Sequence, residues 1–122
     1  MLDLNVEKIP ATVYEAVDIL YEGLTDEERD YILSHDKWSL HHGVGTCMRN
    51  GWKLWHRETP LVQWCIKELQ VGHGDDISGL MFTGLWQKVH GQPVDFTEQI
   101  AIYHKHWRGM GVDPITQERL VA

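Results

Sequence analysis

Apolar residues recur at three- and four-residue intervals over most of the chain, and short polar or glycine-containing links separate the periodic stretches. Pro10-Ala11-Thr12-Val13-Tyr14-Glu15 opens the first stretch. Thr12 and Glu15 stand at capping-box spacing, Val13, Ala16, Val17 and Leu20 fall on one face, and Gly23 ends it. Thr25-Asp26-Glu27-Glu28 repeats the signal and puts acids at the positive end of a second helix dipole, with Tyr31, Ile32 and Leu33 expected to turn inward. Residues 38–55 predict a third helix or a broken pair, because Gly43, Gly45 and Gly51 each lower helix propensity. Thr59 is the expected cap of a fourth helix, with Pro60 at its first position and Leu61, Cys65, Ile66 and Leu69 on one stripe. Asp75 or Asp76 is the expected cap of a fifth, which carries Ile77, Leu80, Met81, Leu85 and Val89 and stops at His90-Gly91-Gln92-Pro93. A sixth starts at Asp95 or Thr97 and runs through Ile100, Ala101, Tyr103, His104 and Trp107 to Gly109 and Gly111.

No stretch alternates with period two for long enough to predict a strand, and there is no internal repeat. The pattern predicts an all-α, single-domain bundle of five or six short helices over residues 1–122, with 1–9 and 112–122 as loose or extended tails.

Composition agrees with one core: 122 residues at 43% hydrophobic content bury enough apolar surface to need no metal or disulfide staple. Cys47 and Cys65 belong to no paired motif and are expected to be free thiols in a reducing compartment. Residues 1–7 lack a basic and apolar leader pattern, and no apolar run approaches the roughly 20 residues that span a bilayer, so the expected location is the cytoplasm.

The net charge of −7 is uneven, with ten acids against two bases in residues 1–36 and eight against nine in the remainder. That balance offers no basic footprint for neutralising phosphates, so direct nucleic-acid binding is not expected. The acidic helical hairpin is either a solvated surface or a face that meets a basic partner protein.

Two clusters carry candidate chemistry. In the first, Leu40-His41-His42-Gly43-Val44-Gly45-Thr46-Cys47-Met48-Arg49-Asn50-Gly51-Trp52-Lys53-Leu54-Trp55, a continuous helix would align His42, Gly45, Arg49 and Trp52. Glycines there let a ligand approach closely, and the guanidinium would clamp a carboxylate or phosphate. Small residues equally permit a tight helix crossing, with Arg49 stacked on tryptophan and His42 a satisfied core histidine. In the second, His73-Gly74-Asp75-Asp76-Ile77-Ser78-Gly79, a histidine and two carboxylates resemble hard-cation ligands, whereas Asp75 and Ser78 also have the spacing of a cap and its partner. No HExxH, paired CxxC or EF-hand loop is present. Cys47 with His41 or His42, and Ser78 with His73, are the weaker nucleophile pairings.

With these residues laid out, the chain resembles a family of small bacterial and phage-type domains without a characterised function. Its members have a proline-opened helix, a core His-x-Gly-x-Gly-x-x-x-Arg-Asn-x-Trp-x-Leu-Trp and a turn His-x-Asp-Asp-x-Ser-Gly, matched here by residues 41–55 and 73–79 within a likeness over 10–92. One departure is Gly74 where the resemblance implies proline, which is expected to slacken the entry to the fifth helix. The resemblance groups His41, Arg49, Asn50, His73, Asp75, Asp76 and Ser78 as one assembled site and implies no reaction.

The expected function is a small helical binding module, a phage or bacterial accessory protein in the version the resemblance implies. Its expected partner is another protein, a second copy of the chain included, or an anionic small molecule such as a nucleotide signal. The ligand-binding set is His41, His42, Arg49, Asn50, Trp52, Trp55, His73, Asp75, Asp76 and Ser78. In it Arg49 is the anion clamp, His41 and His73 are donors, Asp75 and Asp76 orient, and Trp52 and Trp55 frame the pocket. No metal or cofactor belongs to this reading, which is preferred to an enzyme. The competing class is a hydrolase with a metal at His41, His73, Asp75 and Asp76, or with histidine as general base. A third reading is structural, with Arg49 and Asp76 forming a buried pair that fixes the crossing of helices three and five.

Overall fold

Both capping signals of the acidic N-terminal stretch cap a helix, but only the second forms a complete box; in the first the Glu15 carboxylate accepts from the Ala11 amide at 3.2 Å and not from that of Thr12. In the computed structural model, which describes residues 8–120, Thr12 Oγ1 accepts from the Glu15 amide at 3.1 Å and opens helix α1, Val13–Glu22. Its buried face is Val13, Ala16, Val17 and Leu20, and Gly23 caps its end. Thr25 and Glu28 make a complete capping box for α2, Asp26–Ser34, with hydrogen bonds of 2.8 and 3.1 Å. Of the three apolar residues expected to turn inward only Ile32 does; Tyr31 is 46% and Leu33 52% exposed. Successive helical residues point about 100° apart, so a short helix laid on one neighbour cannot bury three in a row. Tyr31 instead stacks on His35 at 3.9 Å.

Residues 38–55 form the broken arrangement. A 3₁₀ turn, Lys37–Leu40, is capped by the Asp36 carboxylate, which accepts from the Ser39 amide at 3.2 Å. Helix α3 follows as Val44–Gly51. His41 and His42 precede α3, so the expected helical face of His42, Gly45, Arg49 and Trp52 does not exist as such. Helix α4, Pro60–Trp64, runs on into a π turn, Cys65–Leu69, that Gln70 ends in the left-handed conformation at φ 58°. Thr59 holds the cap position of α4, but its hydroxyl donates to the Lys53 carbonyl at 3.3 Å and caps nothing.

Helix α5, Gly74–Val89, is central: α1, α2, α3 and the 3₁₀ turn all pack on it, and it is buried from Ile77 through Leu85 without a break. A helix surrounded on most sides needs apolar or small residues all round, which explains its weak amphipathic pattern. Its cap is neither Asp75 nor Asp76. His73 takes that place, with Nδ1 accepting from the Asp75 amide at 3.1 Å. Helix α6, Thr97–Gly109, begins after Phe96, with the Asp95 carboxylate accepting from the Thr97 amide at 3.0 Å. It buries Gln99 and Tyr103, while Ala101 is exposed. Gly79 lets α6 close on α5, because a Cβ at that position would run into the Tyr103 hydroxyl.

The expected tail over 112–122 is, as far as Leu120, a turn with a Val112–Arg119 bridge, pinned by Arg57 Nη2 donating to the Ile115 carbonyl at 2.9 Å. The tail expected at 1–9 falls largely outside the described residues, although Ile9 packs on the core. Cys47 and Cys65 are free thiols. Among the described residues no helix is long and apolar enough to cross a membrane.

Candidate functional site

The two sequence clusters do meet, and Arg49 is the joint. It lies in the last turn of α3, with Gly45 one turn before it leaving room for the guanidinium, since a Cβ there would stand 2.9 Å from Nη1. Nη1 donates to Ser78 Oγ at 2.8 Å, and Nη2 donates to the His41 carbonyl and to Thr46 Oγ1, both at 3.1 Å. Nε lies 3.4 Å from Asp75 Oδ1. Ser78 in turn donates to the Asp75 carbonyl at 2.8 Å, so its role is the reverse of the cap expected from its spacing. The guanidinium is buried and committed to internal acceptors on three sides. The buried Arg49–Asp76 pair does not form, and Asp75 is the carboxylate that faces Arg49.

Asp76 looks the other way. Its Oδ2 accepts from the Trp107 indole at 2.6 Å. Burial raises the pKa of Asp76; the Trp107 hydrogen bond and the nearby His73 and His106 oppose the rise, and Asp75 adds to it. The Tyr103 phenol is also pushed up, by burial first and then by the charges of Asp76 and Asp75, while a hydrogen bond from the Gln99 side chain opposes the rise. The His73 ring sits edge-on to Trp55 at 5.6 Å and tilted against Trp107 at 5.1 Å. Because Nδ1 is an acceptor, the proton of the neutral ring is on Nε2. Gly74 is explained here: a Cβ at the first position of α5 would lie 2.7 Å from the Trp55 indole and 3.1 Å from the Leu54 carbonyl, so proline does not fit beneath Trp55.

The remaining expected residues are not brought into this cluster. Trp52 is 1% exposed and belongs to the core, so it frames no pocket, while Trp55 is 51% exposed. Asn50 is exposed and takes no part in the cluster's hydrogen bonds. His42 is exposed and edge-on to His41 at 4.9 Å. Among the described residues no three His, Cys, Asp or Glu side chains converge to hold a metal ion, so the donor set expected of a metal hydrolase is not assembled.

What Arg49 positions is the segment before α3. By holding the His41 carbonyl it fixes residues 40–44, and these form one wall of an apolar groove of about 240 Å³. Leu40, Gly43, Val44 and Ser39 face Leu24, Glu28, Tyr31 and Ile32 across it. No motif announces this groove, because its walls are ordinary apolar residues on two segments. The available signal was the surplus of apolar residues around Tyr31 on an otherwise acidic helix. Lys37 and Gln99 were missed as well: Lys37 Nζ donates to Gln99 Oε1 at 2.7 Å across 62 residues of sequence.

Residues 9–89 match a family described as a domain of unknown function (DUF6794). Comparisons with curated proteins and with solved structures give no match.

Proposed function

The chain belongs to the DUF6794 family, and we propose that it is a small helical binding module whose groove between α2 and residues 40–44 receives a basic amphipathic helix of a partner protein. The observation that carries this reading is the make-up of the groove, which has apolar walls and lies against the most acidic helix of the chain. Helix α2 carries Asp26, Glu27, Glu28 and Asp30, and its one arginine, Arg29, lies over the Tyr21 ring at 4.4 Å. Glu27 stands one helical turn before Tyr31, on the same side as that wall. An amphipathic helix would lay one large apolar anchor in the groove and present lysines or arginines to these carboxylates, which adds association rate and specificity.

The partner-protein form of the expectation is favoured over the anionic-ligand form because the Arg49 guanidinium already has internal acceptors. Arg49 then acts as a positioning residue that holds one wall of the groove. An accessory role in a bacterial or phage setting is the form of this reading that the resemblance implies.

The test is fluorescence anisotropy with a labelled amphipathic helical peptide of leucine and lysine, a scrambled peptide of the same composition, and the variants Val44→Glu and Leu24→Glu. The ordered peptide should bind, lose affinity as salt rises, and lose about tenfold or more on either variant with folding retained by circular dichroism. Equal binding of the scrambled peptide, or no binding at all, overturns the reading. A dimer seen by light scattering and abolished by Val44→Glu would put a second copy in the groove instead.

A further inference from the structure

The usual helix caps are serine, threonine, asparagine and aspartate, whose oxygens accept a backbone N–H without changing charge near neutral pH. Helix α5 is capped differently, by His73 Nδ1 accepting from the Asp75 amide at 3.1 Å. An imidazole nitrogen accepts only while it lacks a proton, and both nitrogens carry one in the charged ring. Histidine is also the side chain whose ordinary charge change falls between pH 5 and 8. Protonation therefore sets Nδ1–H against the Asp75 N–H, donor against donor, and places a positive charge at the positive end of a 16-residue helix.

The same ring joins three parts of the fold. It lies edge-on to Trp55 at 5.6 Å and tilted against Trp107 of α6 at 5.1 Å, and the Trp107 indole is tied back to α5 by its 2.6 Å bond to Asp76 Oδ2. The surrounding charges are mostly engaged elsewhere. Asp75 faces Arg49 of α3 at 3.4 Å. On the Trp55 side, Arg57 donates to the Gly72 and Ile115 carbonyls and His56 pairs with Glu58. On α6, His104 is bonded to the Gln70 carbonyl at 2.7 Å and burial keeps the Tyr103 phenol neutral. Lys53, Lys105 and Arg108 are exposed. That leaves Asp76, which lies within electrostatic reach of His73 and of His106. An imidazolium beside Asp76 favours its ionised form, against the rise that burial causes.

We propose that His73 is a pH-sensitive latch between α5 and α6. Neutral, the ring caps α5 and packs on Trp55 and Trp107. Charged, it leaves the Asp75 amide, turns to the Asp76 carboxylate and displaces the Trp107 indole from it, so that the end of α6 loosens from the start of α5. The two arrangements compete for one carboxylate, which makes the change a switch between discrete states.

The experiment is nuclear magnetic resonance of the full, nitrogen-labelled chain between pH 8 and pH 5, following the ring nitrogens of His73, the Trp107 indole N–H and the hydrogen-exchange protection of the Asp75 amide. Nδ1 should gain its proton in the same step in which the indole signal moves and the amide protection falls about fivefold or more, the effect of losing a cap. His73→Asn keeps a capping oxygen that does not titrate. It should retain the fold by circular dichroism and abolish both the indole and the amide changes, with His73→Ser as the substitute if the asparagine variant does not fold. His106→Gln should leave the step in place. If the Asp75 and Trp107 signals do not follow the His73 ring, if their changes persist in His73→Asn, or if they vanish in His106→Gln, the proposal is wrong.

Discussion

Arg49 and Ser78, twenty-nine residues apart, are joined by a 2.8 Å hydrogen bond from guanidinium Nη1 to the serine hydroxyl, buried between α3 and α5. Around that contact the His41 carbonyl, Thr46 and Asp75 complete the surroundings of the guanidinium, so the pair is the centre of a clasp that sets where α3 and the segment before it lie on the central helix.

Removing either partner should destabilise unequally. Arg49→Ala withdraws donors from three acceptors and should cost about 2–3 kcal/mol, whereas Ser78→Ala should cost about 1–2 kcal/mol. A double-mutant cycle by urea unfolding should give a coupling of about 1 kcal/mol or more, and Arg49→Lys should recover little, because one ammonium cannot reach acceptors arranged for a planar fork. Additive effects would mean that the two residues are not coupled.

Gly79→Ala usually favours a helix interior, yet here it should destabilise by about 1–3 kcal/mol, because the new Cβ meets the Tyr103 hydroxyl. Combining it with Tyr103→Phe, which removes that oxygen, should recover most of the loss in melting temperature. No recovery would place the clash elsewhere.

The raised pKa of Asp76 has a definite consequence for pH. A carboxyl whose pKa is higher in the folded chain than its ordinary 3.8 binds its proton more tightly when folded. Its contribution to stability is therefore full below 3.8 and is lost as pH rises through the folded value. Asp76→Asn keeps an oxygen for the Trp107 indole but has no charge to desolvate. The variant should gain stability over the parent as pH is raised from acid toward neutral, with the difference vanishing at the acid end. A difference independent of pH would show that desolvation of the carboxylate is not its source.

The two thiols should differ sharply in reactivity. Burial pushes the Cys65 thiol up to about 12, leaving almost no thiolate near neutral pH, while Cys47 is half-buried. Titration with a disulfide reagent at mildly alkaline pH should therefore modify Cys47 in the native chain and Cys65 only after a denaturant is added. Rapid modification of both without denaturant would contradict the burial of Cys65.

What the amino-acid order settled alone is whatever depends on neighbours within a turn or two. The Thr12–Glu15 and Thr25–Glu28 caps, the inner face of α1, the break in 38–55 and the central apolar helix were all legible, because each is decided by groups three or four residues apart or by the run of apolar volume itself. The meeting of residues 41–49 with 73–78 was legible as an association, but its wiring was not. Whether Arg49 faces Asp75 or Asp76 depends on the rotation of α5, and two adjacent helical residues point about 100° apart. Burial likewise separated Trp52 from Trp55 although both belong to one short motif. Lys37 and Gln99 share no motif and come from two elements. Only the packing of α6 and the 3₁₀ turn on α5 brings them together, because hydrophobic burial fixes which helices touch and the polar groups at the contact follow from that choice.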